Sequence, residues 1–418
     1  MGEQEPRTNG PPEAPEVSFA TFQGCLMNHI EISVSESEKR NNGALNLRDF
    51  YTVYLIETKP TGSSTKQPRK HATVWRRYSE FERLLNYLRI KFPFVIMPPL
   101  PEKRVMFAWQ KIPSDTFDPN FIDRRRAGLE NFLLRAASHP LLGWDPHFLQ
   151  FLQEENPWSD TNSYIQLMET KLKTLSVAVR VRKSHPRFEA LRDYGAEFQN
   201  SVTQLLKNRS RVAERTYAVH KLHANYGRVF SEWSASERDA TGDSLQRIGH
   251  YLDSFAASID GALEDEELLA DQLKEYLFFA ESLQGVCGNR EALQLQLEDS
   301  EEAVTSRNAE RARVRQGKSL GLMSRLFGAV DTEEVREFKA NELEQRIREG
   351  AALVDERKGQ LEEFTQKALK EVERFQKQKV ADLSETLANY AFLQLKTAKK
   401  GLQTWTQIRE CLLNIPTN

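Results

Sequence analysis

The reading of this chain turns on Val74-Trp75-Arg76-Arg77-Tyr78-Ser79-Glu80-Phe81, followed by Pro98-Pro99-Leu100-Pro101-Glu102-Lys103 and then by Arg124-Arg125-Arg126-Ala127-Gly128-Leu129-Glu130-Asn131-Phe132-Leu133-Leu134. Arg77 ends a run of β-forming residues and offers a planar fork that matches a phosphate bidentately, whereas Lys103 acts as a compact, mobile point charge. Tyr78 supplies a ring for a sugar-like face. Ser79 and Glu82 have the spacing of a capping box, which predicts a helix starting there with its backbone N–H groups near the same anion. The Ser79 hydroxyl then caps, binds phosphate, or shares both tasks. Taken singly, each piece reads as a solvated arginine, a surface lysine or an ordinary cap. In this order they predict one anion pocket.

Those three segments resemble the phox-homology (PX) domain of the sorting nexins. The resemblance implies that Arg77 holds the 3-phosphate of phosphatidylinositol 3-phosphate, that Tyr78 packs against the inositol ring, and that Ser79 lies at the phosphate. It also implies that Lys103 reaches the phosphate linked to diacylglycerol and that Arg125 binds ring hydroxyls.

The 418 residues suffice for two or three domains. Charged residues make up 28% and the net charge is −2, so a basic surface has to be local, which argues against a nucleic-acid binder driven by overall charge. Cys25, Cys287 and Cys411 are odd in number and far apart, as suits a reducing compartment without a disulfide framework. Met1 to Val17 has neither the basic start nor the apolar core of a signal peptide. Pro6 stands where a myristoylation motif after Gly2 wants Ser or Thr. No apolar run approaches the roughly 20 residues of a membrane span.

In chain order, residues 1–20 are expected to be a disordered tail. A domain over 21–154 follows, with strands at His29 to Val34, Tyr51 to Thr58 and Ala72 to Tyr78. Helices are expected from about Ser79, at Phe121 to Ala137 and within Leu141 to Leu152, giving an α+β fold: a three-stranded antiparallel sheet with helices and a polyproline loop. That loop reads either as a rigid wall or as a ligand for a proline-binding domain. Val105, Met106 and Phe107 after it are candidates either for dipping into lipid or for the core. Residues 155–186 form a linker in which Ile165, Met168, Leu172, Leu175 and Val179 make a basic amphipathic helix, lying in a bilayer interface or yoking the two domains.

From 187 to 418 three long helical patterns remain, to about Ser236, from Leu245 to about Arg315, and from about Asp331, with Asp239 to Asp243 as a turn. At about 1.5 Å per residue such helices are on the order of 70 to 130 Å long, so they are expected side by side as an elongated antiparallel coiled coil that pairs with a second copy or a relative. A PX domain before three long helices is similar to the sorting nexins with a BAR domain, as are Asn225-Tyr-Gly-Arg-Val-Phe-Ser-Glu-Trp-Ser234 and Asp271-Gln-Leu-Lys-Glu-Tyr-Leu277. The resemblance implies a dimer, homomeric or with a related nexin, that detects membrane curvature on the cytosolic face of early and recycling endosomes, in cargo recycling and autophagy.

Arg307, Arg311, Arg313, Arg315, Lys318 and Arg325 gather where the second helix ends, with Glu310 the one acid among them. They form either a solvated face or a membrane-contacting tip beside Leu320, Leu322, Met323, Leu326 and Phe327. Glu264 to Glu267 reads as a solvated face, and His220 with His223 as structural. No nucleophile elbow, P-loop, kinase set or zinc spacing is present, so neither catalysis nor a cofactor or metal is expected. The rival reading is a coiled-coil scaffold whose basic pocket docks a protein or phosphopeptide.

Overall fold

The computed structural model describes residues 24–41, 50–61, 71–103, 118–155, 182–316 and 333–415. The tail, the linker helix expected over Ile165 to Val179, and Val105, Met106, Phe107, Lys318, Leu320, Leu322, Met323, Arg325, Leu326 and Phe327 lie outside them. Strands β1 (Ile30–Asn41), β2 (Phe50–Pro60) and β3 (Ala72–Arg77) form one antiparallel sheet in that order. Ile30, Ile32 and Val34 alternate inward, where they meet Tyr54, Ile56 and Val74. The register slips at a bulge between Val34 and Glu36. Helix α2 (Pro119–Ser138) serves the backbone there: Glu130 Oε2 accepts from the Val34 N–H at 2.7 Å, and Arg126 Nη1 donates to the Val34 carbonyl at 2.5 Å.

Helices α1 (Tyr78–Lys91), α2 and α3 (Pro146–Gln153) close the core through Phe81, Leu84, Leu88, Phe132, Phe148 and Phe151. Asp118 caps α2 through the Phe121 N–H and precedes a proline at the first helical position, so α2 starts two residues before the Phe121 expected from periodicity. Asp145 caps α3 likewise and pairs with Lys91 at 2.6 Å.

The second half is three helices, α4 (Pro186–Ser234), α5 (Asp239–Arg315) and α6 (Glu333–Leu413). Their 49, 77 and 81 residues correspond to lengths of about 75, 115 and 120 Å at 1.5 Å per residue. Asp239 to Asp243 is the first turn of α5, not the connection; the chain turns just before it, between Ser234 and Arg238. Gly242 signals close packing there, since a Cβ would lie 3.1 Å from the Glu237 carbonyl oxygen. His220 Nδ1 lies 2.8 Å from the Ala256 carbonyl and His223 Nδ1 2.9 Å from that of Val219, so both serve structure.

The domains are packed together. Ile96, from the loop after α1, is fully buried among Phe188, Tyr276, Phe279, Phe364 and Phe375 of the bundle. Around it, Arg135 pairs with Glu275 and with Asp382 (2.8 Å), and His139 meets Glu371 at 3.0 Å.

Candidate functional site

Strand β3 ends at Arg77 and α1 begins at Tyr78, so strand alternation sends the two arginines of the motif to opposite faces. Arg76 points inward, only 1% exposed, where Nε donates to the Phe151 carbonyl at 3.1 Å and Nη2 to that of Glu154. It is a brace between β3 and α3. Arg77 is exposed, its guanidinium stacked 3.6 Å from the ring centre of Tyr51 on β2.

The cap expected of Ser79 and Glu82 is absent. Glu80 takes the role instead, Oε2 accepting from the Arg77 N–H at 2.7 Å. Only this half of a capping box can form, because an arginine side chain has no acceptor. Ser79 lies exposed in the first turn of α1, where backbone N–H groups lack intrahelical partners. Glu82 instead pairs with Lys103 at 2.6 Å, with both side chains partly in solvent.

The Tyr78 ring is the centre on which the remaining groups converge. Its hydroxyl donates to the Pro101 carbonyl at 2.7 Å, while Lys103 Nζ and the Arg125 guanidinium lie 5.8 and 5.1 Å from the ring centre. Burial raises the Tyr78 pKa, with Glu82 adding and Arg125 opposing, so the phenol stays protonated and keeps donating. Arg125 Nη2 donates to the Lys103 carbonyl at 2.8 Å, and its guanidinium also rests 4.3 Å from the Phe121 ring. The polyproline loop reaches this position because α2 carries Gly128: a Cβ there would sit 2.6 Å from Pro101 Cβ. The structure thus gathers Tyr78, Lys103 and Arg125, with Arg77 and Ser79 beside them on the exposed strand-to-helix junction. Two flat guanidinium groups, a mobile ammonium and a ring suit a phosphorylated sugar.

The neighbours of Arg125 do other work. Arg124 pairs with Glu267 at 2.8 Å and with Asp271 of α5, and Arg126 supports the bulge in β1. The acidic run on α5 is therefore only half a solvated face. Glu264 and Asp265 are exposed, whereas Glu266 is buried beside Arg209, and Glu267 binds both Arg124 and Arg209. At the end of α5 the charge balance also differs from the linear sequence, since Glu344 of α6 lies 3.5 Å from both Arg311 and Arg315. Arg313 is exposed.

A second surface is apolar. Leu205, Val212, Val219, Leu222, Tyr226 and Trp233 of α4 are exposed, as are Val380, Leu387, Leu395, Leu402, Trp405 and Leu412 of α6. His223 contacts Phe255 of α5 and Trp405 of α6 at ring-centre distances of 5.0 and 6.2 Å, which brings the two strips together at one end of the bundle. Seven-residue steps from Leu205 through Val212 to Val219, and from Leu395 to Leu402, signal in the sequence a seam for another helix pair. The Lys103 to Glu82 pairing left no such signal.

Among the described residues, no helix is long and apolar enough to cross a membrane and no cluster of His, Cys, Asp or Glu could hold a metal ion.

Residues 64–155 match the PX domain family. The chain is 46% identical to sorting nexin-4 of Mus musculus over 404 residues, covering 94% of this chain and 89% of that protein. It is 44% identical to sorting nexin-4 of Homo sapiens over 408 residues, covering 96% and 90%. Among solved structures, the SNX-BAR Mvp1 tetramer shares the fold at a TM-score of 0.60 and 18% identity, over 90% of this chain and 99% of that one. With a PX fold packed on three long helices, and relatives this similar along nearly their whole length, the chain belongs to the PX-BAR sorting nexins and lies close to sorting nexin-4.

Proposed function

We propose that this protein is a peripheral endosomal membrane protein that binds phosphatidylinositol 3-phosphate through its PX domain and works as a BAR dimer on curved membrane, in endosomal recycling and autophagy. The observation that carries the reading is the convergence of Lys103 and Arg125 on the Tyr78 ring beside the exposed Arg77. In this assignment Arg77 takes the 3-phosphate with help from Ser79, Tyr78 faces the inositol ring, Lys103 takes the phosphodiester, and Arg125 the ring hydroxyls. The exposed strips on α4 and α6 are the dimer face, completed by a second copy or a related nexin. A dimer offers two headgroup sites and a curved basic surface, so individually modest contacts add by avidity and select membranes that present both signals.

The test is co-sedimentation with liposomes of matched net charge, with and without phosphatidylinositol 3-phosphate, comparing wild type with Arg77→Ala. Selective binding that is lost on substitution supports the reading. Binding that follows charge alone would assign the interaction to the basic tip, and no binding at all would return the chain to a protein scaffold.

A further inference from the structure

We propose that one turn of the BAR helix α5, from Asp271 to Lys274, positions the lipid-headgroup residues of the PX domain, so that headgroup affinity is set across the domain junction. The inference rests on the headgroup assignment above.

The two groups that frame the Tyr78 ring, Lys103 and Arg125, are each preceded by a residue held by this same turn. Lys274 Nζ lies 2.9 Å from Glu102 Oε1, and Arg124 Nε donates to Asp271 Oδ2 at 2.8 Å. Lys274 and Asp271 also face each other at 3.4 Å, so the two grips form one connected set. The set is closed on the PX side by the 2.8 Å hydrogen bond from Arg125 to the Lys103 carbonyl.

Lys274 is not a surface contact. Its side chain is 6% exposed and that of Glu102 is 11% exposed. Removing either partner breaks a buried ion pair and weakens the hold of α5 on the loop. Upstream, Pro101 packs on Gly128 and accepts from Tyr78, and downstream Lys103 pairs with Glu82 while its carbonyl accepts from Arg125. Beyond Pro101, Lys274 anchors Glu102, the last residue before Lys103. The same turn lines a cavity of about 660 Å³ at the junction, walled by Pro101, Phe121, Arg125 and Leu268 among others. Supporting contacts of this kind keep binding groups in their productive geometry.

The probe is soluble dibutanoyl phosphatidylinositol 3-phosphate, which removes avidity and curvature, titrated calorimetrically into the full-length chain. Lys274→Met is expected to weaken binding about tenfold. Lys274→Arg, which keeps the charge, is expected to restore most of it, as loss of packing alone would not predict. Thermal melting and dimer mass are followed in parallel. Should Lys274→Met fail to fold, Glu102→Gln makes the same cut from the PX side. Equal affinity of wild type and a folded Lys274→Met or Glu102→Gln would overturn the inference while leaving the headgroup site intact. A wild type that does not bind the probe would overturn the headgroup reading and this inference with it.

Discussion

His139, just after α2, places Nε2 3.0 Å from Glu371 Oε2 on α6 and so ties the PX domain to the far helix of the bundle. Its Nδ1 accepts from the backbone N–H groups of Leu141 and Leu142 at 3.1 and 3.3 Å, which leaves the ring proton on Nε2, donated to the carboxylate. Burial holds the His139 pKa below its ordinary value, and nearby Arg374 adds to that, while Glu371 opposes. For Glu371, burial pushes the pKa up, but the hydrogen bond from His139 and the Arg374 charge outweigh it and hold the carboxylate below the usual range.

Stability should therefore fall on mild acidification. Below about pH 6.5 the unfolded chain protonates this histidine and the folded one does not, so stability declines as pH drops, by at most about 1.4 kcal/mol per pH unit. Glu371 contributes no slope in that window, because its loss begins only below the ordinary carboxylate pKa. Melting from pH 7.5 to 5.5 should show a steeper decline for wild type than for His139→Gln, which keeps an N–H donor toward Glu371. Parallel slopes would refute the assignment.

In the proposed headgroup site, Glu82 is expected to compete with the ligand for Lys103. The pair is largely exposed and, on general grounds, worth up to about 1 kcal/mol, so an incoming phosphate displaces Glu82 at that cost. Glu82→Gln is expected to tighten binding of phosphatidylinositol 3-phosphate by up to about fivefold at low salt, with the gain shrinking as salt rises. Isothermal titration at two ionic strengths checks it, and weaker binding by the variant would rule out Glu82 as a competitor.

Leu402 is 71% exposed and lies one heptad beyond Leu395 on the apolar strip. A charge placed there must be desolvated when a second subunit covers it. Leu402→Glu is expected to weaken dimerisation by about 2 kcal/mol or more, roughly 30-fold, without lowering monomer helicity. Light scattering across a dilution series measures this, and an unchanged mass would move the interface elsewhere.

How much of this was legible in the sequence depends on how far each residue reaches. Arg77 and Tyr78 were readable because strand end and helix start meet at adjacent residues, and Lys103 because prolines fix the loop before it. Arg124 and Arg125 look alike in sequence, yet the partner of Arg124 is 147 residues away on α5, and no local pattern specifies that. Periodicity identified the faces of α4 and α6 but not which would be covered within one chain, since a heptad seam reads alike whether its partner is in the same subunit or another. The start of α1 was misplaced because Ser79 with Glu82 has capping spacing, whereas the turn is set by β3 ending at Arg77 and by Glu80 reaching back to its N–H.

The tip offers the last prediction, because the structure ranks arginines that the sequence leaves equal. Arg311 and Arg315 both face Glu344, which Arg348 also contacts at 3.0 Å, so part of their charge is already committed. Arg313 is exposed and, two residues from each, lies on the other side of the helix from Arg311 and Arg315. A basic residue near anionic lipid contributes about 1 kcal/mol, so Arg313→Gln should lower affinity for phosphatidylserine vesicles about fivefold. Arg311→Gln should cost less, because its charge is already shared with Glu344, which keeps Arg315 and Arg348 as partners. If the tip acts on membranes, neutralising Arg311, Arg313 and Arg315 together should also reduce tubulation while leaving selectivity for phosphatidylinositol 3-phosphate unchanged. Flotation of the single variants and electron microscopy of the triple variant decide it. Unchanged tubulation would leave the basic run as a solvated helix face.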